Sequence, residues 1–273
     1  MYIANKLHTI DIHPNELHLW FIDTDKITSC ETIDKYREIV SEEEQARMSQ
    51  FQFEHSRFQY LITRAATRTI LSYYCNSTEP RAWEFGKNRY GKPFVVNYPV
   101  DIPIQFNISH SNKLVVLAIT REQDIGVDVE YSPKDDCPFD IAYKYFSTRE
   151  VSEMNSLTVE EKIVRFYQLW TLKEAYIKAK GIGLSLPLNK FYFTFPRKDR
   201  IEISFETSLV DDAKNWFFWH IRPNPHYQVS VALHSGKRNM VNYKLIMREN
   251  IPLSHVYEIS YPIEMKSWGM TER

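Results

Sequence analysis

The sequence predicts an α+β protein of two similar halves, each with helices packed on a small antiparallel sheet. The first observation is an internal repeat: Ser-x-x-Glu-x-x-x-Met occurs at residues 41–48 and again at 147–154. The second is that similar aromatic helical segments follow both copies, at 57–63 and 165–171. The third is that strand-like segments follow both helical regions. Coincidence is the alternative explanation, because serine caps and aromatic helices are common.

We expect the first half to cover residues 1–121 and the second half to cover 122–273, including a C-terminal extension. A ligand site between the halves is then the usual arrangement. The first half opens with a predicted strand at 16–22. Its helical region starts at Ser41, where a capping box marks a helix start, and breaks near His55.

Three arginines project from this first helical region: Arg57, Arg64 and Arg68. A solvated face is their default interpretation. Arg64 and Arg68 are one helical turn apart and carry like charge, which favours an anionic partner between them.

The remaining segments are punctuated by turns. A Gly-Lys-Pro turn at 91–93 leads into an extended segment, and 104–111 with 114–119 predict a hairpin. The second helical region starts at Ser147 and ends at Gly181, with a break around 155–158. Further strands are predicted at 125–130, 191–195, 201–205, 215–221 and 227–233. The last forty residues show no clear pattern.

Composition excludes several classes of protein. The formal net charge is −1, with no basic stripe interleaved with aromatics, so nucleic acid is not expected as a partner. No segment approaches the apolar length of a membrane span or a signal peptide. The cysteines Cys30, Cys75 and Cys137 are far apart, which argues against disulfides and zinc. We expect a cytoplasmic protein without a membrane partner.

The end of the second helical region carries charge on an apolar face. Glu174 and Lys178 are one turn apart, on the side of the helix that also carries Tyr167 and Trp170. Charge on such a face is costly unless it is paired. An ordinary Glu–Lys pair is one explanation, and a functional site is the other.

A second acidic pair strengthens the functional explanation. Asp128 and Glu130 are two apart on a predicted strand, so both side chains leave the same face. A solvated strand edge is the alternative. With Glu174, three carboxylates could converge on Mg²⁺, which prefers oxygen ligands and commonly also binds substrate phosphates. Lys178 would then face a phosphate oxygen, an arrangement suited to phosphoryl-type transfer.

Four ordered motifs resemble those of the 4′-phosphopantetheinyl transferases. They are Gly91-Lys92-Pro93, Phe106-Asn107-Ile108-Ser109-His110-Ser111, Gly126-Val127-Asp128-Val129-Glu130, and Trp170-Thr171-Leu172-Lys173-Glu174-Ala175-Tyr176-Ile177-Lys178 with Gly181. The chain length is similar to that of the Sfp-type subfamily, whose chain is a pseudo-dimer of two halves. The resemblance therefore implies the same pseudo-two-fold fold and a monomer.

The resemblance also implies the reaction. A carrier-protein serine attacks the β-phosphate of coenzyme A, phosphopantetheine is transferred, and adenosine 3′,5′-bisphosphate leaves. Asp128, Glu130 and Glu174 would hold Mg²⁺ on the pyrophosphate. Glu174 would accept the serine proton, directly or through water, and Lys178 would neutralise a pyrophosphate oxygen.

Further residues match family positions that contact coenzyme A. Ser109 and His110 match phosphate contacts, and Lys92 matches a lysine on the 3′-phosphate or adenine side. Without the resemblance, His110 could be a turn histidine and Lys92 a solvated hairpin lysine. In the first half the basic positions match less well. Arg47, Arg57 and Arg64 could supply phosphate contacts, but Glu44 stands where a lysine is expected.

The implied partner is an apo acyl or peptidyl carrier protein, an acidic helical domain. Sfp-type members more often serve secondary metabolism. The pair Tyr145-Phe146 could contact the carrier, although core packing is the simpler role. Two alternatives remain for function: a non-catalytic module that binds coenzyme A or carrier protein, and a metal-dependent phosphohydrolase.

Overall fold

The computed structural model describes residues 9–99, 104–133, 137–235 and 242–267. The predicted outer ends of the two halves, 1–8 and 268–273, therefore lie outside the described residues. None of the described helices combines the length and apolar character that a membrane crossing requires.

The described part of the first half contains three α-helices and five strands. Its helices are α1 (Cys30–Ile39), α2 (Glu42–Ser49) and α3 (Glu54–Tyr74), and its strands are β1 (Glu16–Asp23), β2 (Phe85–Lys87), β3 (Pro93–Val95), β4 (Ile104–Ser111) and β5 (Leu114–Arg121). The predicted first strand, the helix break near His55 and the hairpin are all confirmed.

The second half repeats the succession of helices followed by strands. Its helices are α4 (Phe139–Tyr145), α5 (Thr148–Asn155) and α6 (Val159–Lys180), and its strands are β6 (Ile125–Tyr131), β7 (Phe191–Arg197), β8 (Arg200–Phe205), β9 (Trp216–Asn224), β10 (Tyr227–His234), β11 (Lys244–Ile251), β12 (His255–Ile259) and β13 (Ile263–Lys266). The α5–α6 pair corresponds to α2–α3, which confirms the two similar halves that the repeat predicted.

Local sequence explains where these helices begin and end. Ser41 and Ser147 both form the predicted capping boxes, and Thr158 adds a third at the start of α6. The last turn of α6 closes on Gly181, whose φ of 63° lies in the left-handed region that favours glycine.

The two main sheets stack between two helical layers. One sheet has the order β12-β11-β1-β5-β4 and the other β6-β10-β9-β13-β8-β7. Helix α3 covers the outer face of the first sheet, and α6 covers the outer face of the second. The inner faces pack on each other through apolar residues such as Leu19, Val116, Val129 and Val231. The described residues therefore form a four-layer α/β/β/α stack with three hydrophobic cores.

The C-terminal extension is divided between the two sheets. Strands β11 and β12 join the first sheet, where β11 runs parallel to β1 with Glu16 opposite Lys244. Strand β13 enters the second sheet, antiparallel to β9 and parallel to β8. Both sheets are therefore mixed. The sequence had predicted antiparallel sheets, and that part of the prediction is wrong. The division at 121/122 stays a prediction, and residues 244–259 pair with strands of the first half.

Candidate active site

The site lies along one side of the stack, where an edge strand of the first sheet runs beside an edge strand of the second. Strand β4 is the edge of the first sheet and β6 is the edge of the second. Polar side chains bridge these two edges, because Ser109 donates to Asp128 Oδ1 at 2.9 Å and Ser111 donates to Glu130 Oε2 at 3.1 Å. The two predicted carboxylates thus stand on the border between the halves.

Helix α6 lies unusually close to β6 at Gly126. A methyl group at this position would collide with the backbone at Ala175 and Ala179. The absence of a side chain therefore lets the helix sit directly on the strand. Because 126, 128 and 130 share one face of the strand, Asp128 and Glu130 point toward α6.

Asp128 is 4% exposed and is the centre of the site. Its Oδ1 accepts from Lys178 Nζ at 2.7 Å and from Ser109. Its Oδ2 is buried and has no hydrogen-bond partner among the residues that the structure describes. The alternative of a solvated strand edge is therefore wrong for Asp128. Lys178 is hydrogen-bonded to Asp128 and not to Glu174, so the simple Glu174–Lys178 pair does not describe the helix either.

The other two carboxylates are held less tightly and are partly removed from solvent. Glu130 accepts from Ser111 and from Trp170 Nε1 at 3.2 Å. Burial, followed by the charge of Asp128, raises the pKa of Glu130 to about 7. Burial and Asp128 also raise the pKa of Glu174, which Lys178 partly offsets. Three carboxylates with one ammonium leave a local excess of negative charge.

These residues fit a divalent cation by their chemistry. Asp128 Oδ2 is an unsatisfied buried acceptor, and Glu130 and Glu174 supply further oxygen donors from adjacent elements. Among the described residues, no three His, Cys, Asp or Glu side chains already converge as a closed ligand cluster. An open site that leaves room for further oxygen ligands is the kind in which Mg²⁺ also binds substrate phosphates.

A cleft of about 250 Å³ opens beside these groups. It lies between α6 and the turn that connects β2 to β3, and its lining residues are Tyr90, Gly91, Lys92, Pro93, Asn107, Ile108, Glu174, Ile177, Lys178, Gly181 and Gly183. Two of the predicted chemical groups, Glu174 and Lys178, therefore face one open space together with the Gly-Lys-Pro turn.

Lys92 has a structural role in this arrangement. Its ammonium donates to the carbonyls of Ile125 at 3.1 Å and Ala179 at 2.9 Å, and its stem crosses over Gly181. Burial lowers the pKa of Lys92, and Asp124 partly offsets this. The interpretation as a solvated hairpin lysine is therefore wrong, because the side chain ties the turn to the end of α6 and to β6.

His110 follows Ser109 on β4, so its side chain leaves the opposite face of the strand. It is exposed at the end of the strand. Partial burial of the ring lowers the pKa of His110, and the nearby ammonium of Lys178 lowers it further. The carboxylate of Asp128 partly offsets this decrease. His110 therefore lies within electrostatic reach of Lys178 and Asp128 and is accessible to a ligand.

The arginines of the first half differ from expectation. The anion between Arg64 and Arg68 is internal, because Glu44 pairs with both of them. Arg68 is 2% exposed, so the default interpretation as a solvated face is wrong for it. Arg57 donates to the carbonyls of Phe51 and residue 52.

Glu44 therefore has a structural reason to stand where a lysine was expected: it closes the α2 capping box and pairs with two arginines. Arg47 is exposed on α2. The aromatic pair separates, since Phe146 is buried in the α6 core as expected and Tyr145 is 43% exposed.

Sequence reasoning missed three supports of the site. Ser111 and Trp170 hold Glu130, although both stood inside recognised motifs. Lys173 is fully buried and pairs with Glu150 at 2.9 Å, which fixes α6 next to Glu174. The signal for Lys173 was available, because a lysine on the apolar side of a helix requires a buried partner.

Comparisons with known proteins identify the family of the chain. The model of the 4′-phosphopantetheinyl transferase superfamily matches residues 124–232, and the model of the 4′-phosphopantetheinyl transferase N-terminal region matches 28–122. The chain is 30% identical over 223 residues to the 4′-phosphopantetheinyl transferase HetI of Nostoc sp., covering 80% of this chain and 88% of that protein. It is 29% identical over 218 residues to Sfp of Bacillus subtilis, covering 79% and 92%.

A more distant relative is the rat L-aminoadipate-semialdehyde dehydrogenase-phosphopantetheinyl transferase, which is 28% identical over 213 residues, 71% of this chain and 67% of that protein. The family models, the relatives and the arrangement of Asp128, Glu130, Glu174 and Lys178 all indicate the same assignment. The chain belongs to the 4′-phosphopantetheinyl transferase superfamily, in its Sfp-type subfamily.

Proposed function

We propose that the chain transfers 4′-phosphopantetheine from coenzyme A to the acceptor serine of an apo acyl or peptidyl carrier protein. The observation that carries the proposal is the group of three carboxylates and one lysine at the edge of an open cleft. The names of the relatives support the same reaction class. The serine oxygen forms a bond to the β-phosphorus of coenzyme A. The bond from that phosphorus to the bridging oxygen of the pyrophosphate breaks, and adenosine 3′,5′-bisphosphate leaves.

Asp128, Glu130 and Glu174 would hold Mg²⁺. The unsatisfied Oδ2 of Asp128 and the raised pKa of each glutamate support this, because a cation would relieve the excess negative charge. When bound, the ion supplies charge neutralisation to the pyrophosphate.

Glu174 and Lys178 would carry out the remaining steps of the reaction. Glu174 faces the cleft and would accept the serine proton, directly or through one water. The route through water is chemically easier, because a carboxylate that also binds the metal is a weak base. Lys178 also faces the cleft and neutralises a phosphate oxygen. Its ammonium is already fixed by Asp128 and Ser109, so it needs little reorganisation.

We place the coenzyme A phosphates along the side of the cleft that leads to His110. His110 is the proposed contact for the 3′-phosphate, since it is accessible and close to Lys178. Arg47 is exposed and can contribute from α2. Ser109 would have to leave Asp128 to contact a phosphate.

For Lys92, Arg57 and Arg64, a phosphate contact would require release of existing bonds to carbonyls or to Glu44. We therefore rank these three below His110 and Arg47.

We also propose an oligomeric state, a division of the chain and a cellular location. Each half supplies one edge strand to the site, so one chain contains the complete site and a monomer suffices. The two family models meet near residue 122, which supports a division at 121/122. The cysteines Cys30, Cys75 and Cys137 are far apart in the sequence, which supports a reducing, cytoplasmic location. The net charge of −1 supports partners other than nucleic acid, and we propose no membrane partner. A role in secondary metabolism remains part of the proposal.

Intact-mass spectrometry of an apo carrier protein tests the proposal. The carrier is incubated with this protein, coenzyme A and Mg²⁺, with a control lacking the metal. We expect a gain of one phosphopantetheine group that requires Mg²⁺. No gain with either acyl or peptidyl carriers, while coenzyme A still binds, would indicate the binding module. Release of adenosine bisphosphate without carrier modification would indicate the phosphohydrolase.

A further inference from the structure

The border between the two sheets is held by side chains and not by a main-chain ladder. The side chains of Asn107 and Ser109 accept hydrogen bonds from the backbone N–H groups of Val127 and Val129, at 2.9 and 3.3 Å. Ser111 accepts from the N–H of Tyr131 at 3.0 Å. We call these three bonds the seam rungs. Each rung joins residues 20 apart, so successive rungs follow β4 and β6 in parallel.

The two serines do more than form rungs. While each accepts from a β6 N–H, its own hydroxyl donates to the carboxylate that precedes that N–H: Ser109 to Asp128 and Ser111 to Glu130. Ser109 also accepts from Lys178 Nζ at 2.9 Å, so its single donor and both acceptor positions are used. A hydroxyl bound in this way cannot rotate freely, and its direction toward the carboxylate is fixed.

Asn107 provides an internal comparison. It forms a rung to Val127 in the same way, but its Oδ1 is an acceptor and has no hydrogen to give to a carboxylate. The rungs therefore separate into one that only joins the sheets and two that also hold an acidic side chain. The two rungs that also hold an acidic side chain are those of Ser109 and Ser111, which stand opposite the proposed metal ligands Asp128 and Glu130.

We infer that Ser111, together with Ser109, is a positioning residue that fixes the Glu130 and Asp128 carboxylates for a divalent cation. Groups that hydrogen-bond to ligating carboxylates orient them and commonly change metal affinity by about 10–100-fold when removed. Ser111 is the sharper test, because among the described residues its hydroxyl is not hydrogen-bonded to Lys178, whereas the hydroxyl of Ser109 is. The inference rests on the proposed function only through the metal.

The test measures Mn²⁺ binding to the full chain by the loss of the free-ion electron paramagnetic resonance signal. We expect Ser111→Ala to bind Mn²⁺ about tenfold more weakly and Ser111→Thr, which keeps the hydroxyl, to stay near the wild type. Asn107→Ala removes a rung but no carboxylate contact, so it should lower the thermal midpoint without changing Mn²⁺ affinity. Should Ser111→Ala fail to fold, Ser111→Cys keeps the volume with a weaker donor and should still weaken binding.

Transfer kinetics give a second, separate readout. The Mg²⁺ concentration for half-maximal transfer should rise by a similar factor in Ser111→Ala, while the KM for coenzyme A stays unchanged. Unchanged Mn²⁺ affinity in Ser111→Ala, or an equal loss in Asn107→Ala, would overturn the inference, as would a wild type that binds no Mn²⁺. A wild type that binds Mn²⁺ with the expected variant pattern but transfers nothing would refute the proposed function alone.

Discussion

The close contact at Gly126 makes a strong prediction about the whole site. Gly126→Ala adds one methyl group where β6 touches α6, and the new carbon would meet Ala175 O and Ala179 N well inside the 3.0 Å that such carbons keep from other atoms. Both are backbone atoms of a helix interior, so no side chain can rotate away. The strand and helix would have to separate by about 1 Å.

The expected cost has two parts. Forcing an extra methyl group into a packed contact costs about 1–3 kcal/mol of folding stability. Separating α6 from β6 also moves Glu174 and Lys178 away from Asp128. A displacement of about 1 Å at reacting groups can reduce a rate by about 100-fold. We therefore expect activity to fall far more than the lost stability alone would explain at a temperature where the variant is folded.

The assay combines thermal unfolding with the initial rate of carrier modification, both below the variant's unfolding transition. The matched control is Gly86→Ala, where the new methyl group would meet only the tip of the Phe94 ring at 2.6 Å. That ring is 45% exposed and can turn away, so we expect nearly normal stability and rate. Wild-type stability and rate in Gly126→Ala would refute the claim that this contact sets the position of α6.

Three further predictions concern charge. Lys173→Met should destabilise the fold by about 3–5 kcal/mol in denaturant unfolding, because it leaves Glu150 buried without its partner; an unchanged midpoint would contradict this. Lys178→Met should lower the transfer rate at least 100-fold when it is measured under conditions in which circular dichroism shows the variant to be folded; near-normal turnover would remove Lys178 from the mechanism. Burial lowers the pKa of His18 from 6.5 to about 4 and that of His220 to about 3. As the pH falls below about 6.5, these histidines become protonated in the unfolded chain while they stay neutral in the folded protein. The free energy of unfolding should therefore decrease as the pH drops from about 6.5 toward 4. Stability that did not fall over that range would show that the buried rings are not neutral.

Much of the fold could be predicted because its signals are local. Capping boxes at Ser41 and Ser147, the glycine at 181 and the 104–121 hairpin each depend on residues a few positions apart. The shared face of Asp128 and Glu130 followed from strand alternation in the same way.

Features that depend on distant pairing were not predictable. Strand β11 lies beside β1 although more than two hundred residues separate them, and no local pattern specifies that partner. From the sequence, Arg64 and Arg68 are interpreted as a site for an external anion. Their actual partner, Glu44, lies on another helix, so the sequence alone does not reveal the pairing. The lysine of the Gly-Lys-Pro turn likewise binds carbonyls of Ile125 and Ala179, which only the folded chain brings together.

The central claim is that the acidic group between the two halves performs phosphopantetheine transfer. The most direct measurement is a time course of carrier mass with wild type, Glu174→Gln and Glu160→Gln, each with coenzyme A and Mg²⁺. Glu160 is exposed at the start of the same helix and serves as the matched control. We expect wild type and Glu160→Gln to add one phosphopantetheine group to the carrier, and a folded Glu174→Gln to add none. Near-normal modification by Glu174→Gln would contradict the roles assigned to this carboxylate, and no modification by the wild type would contradict the function itself.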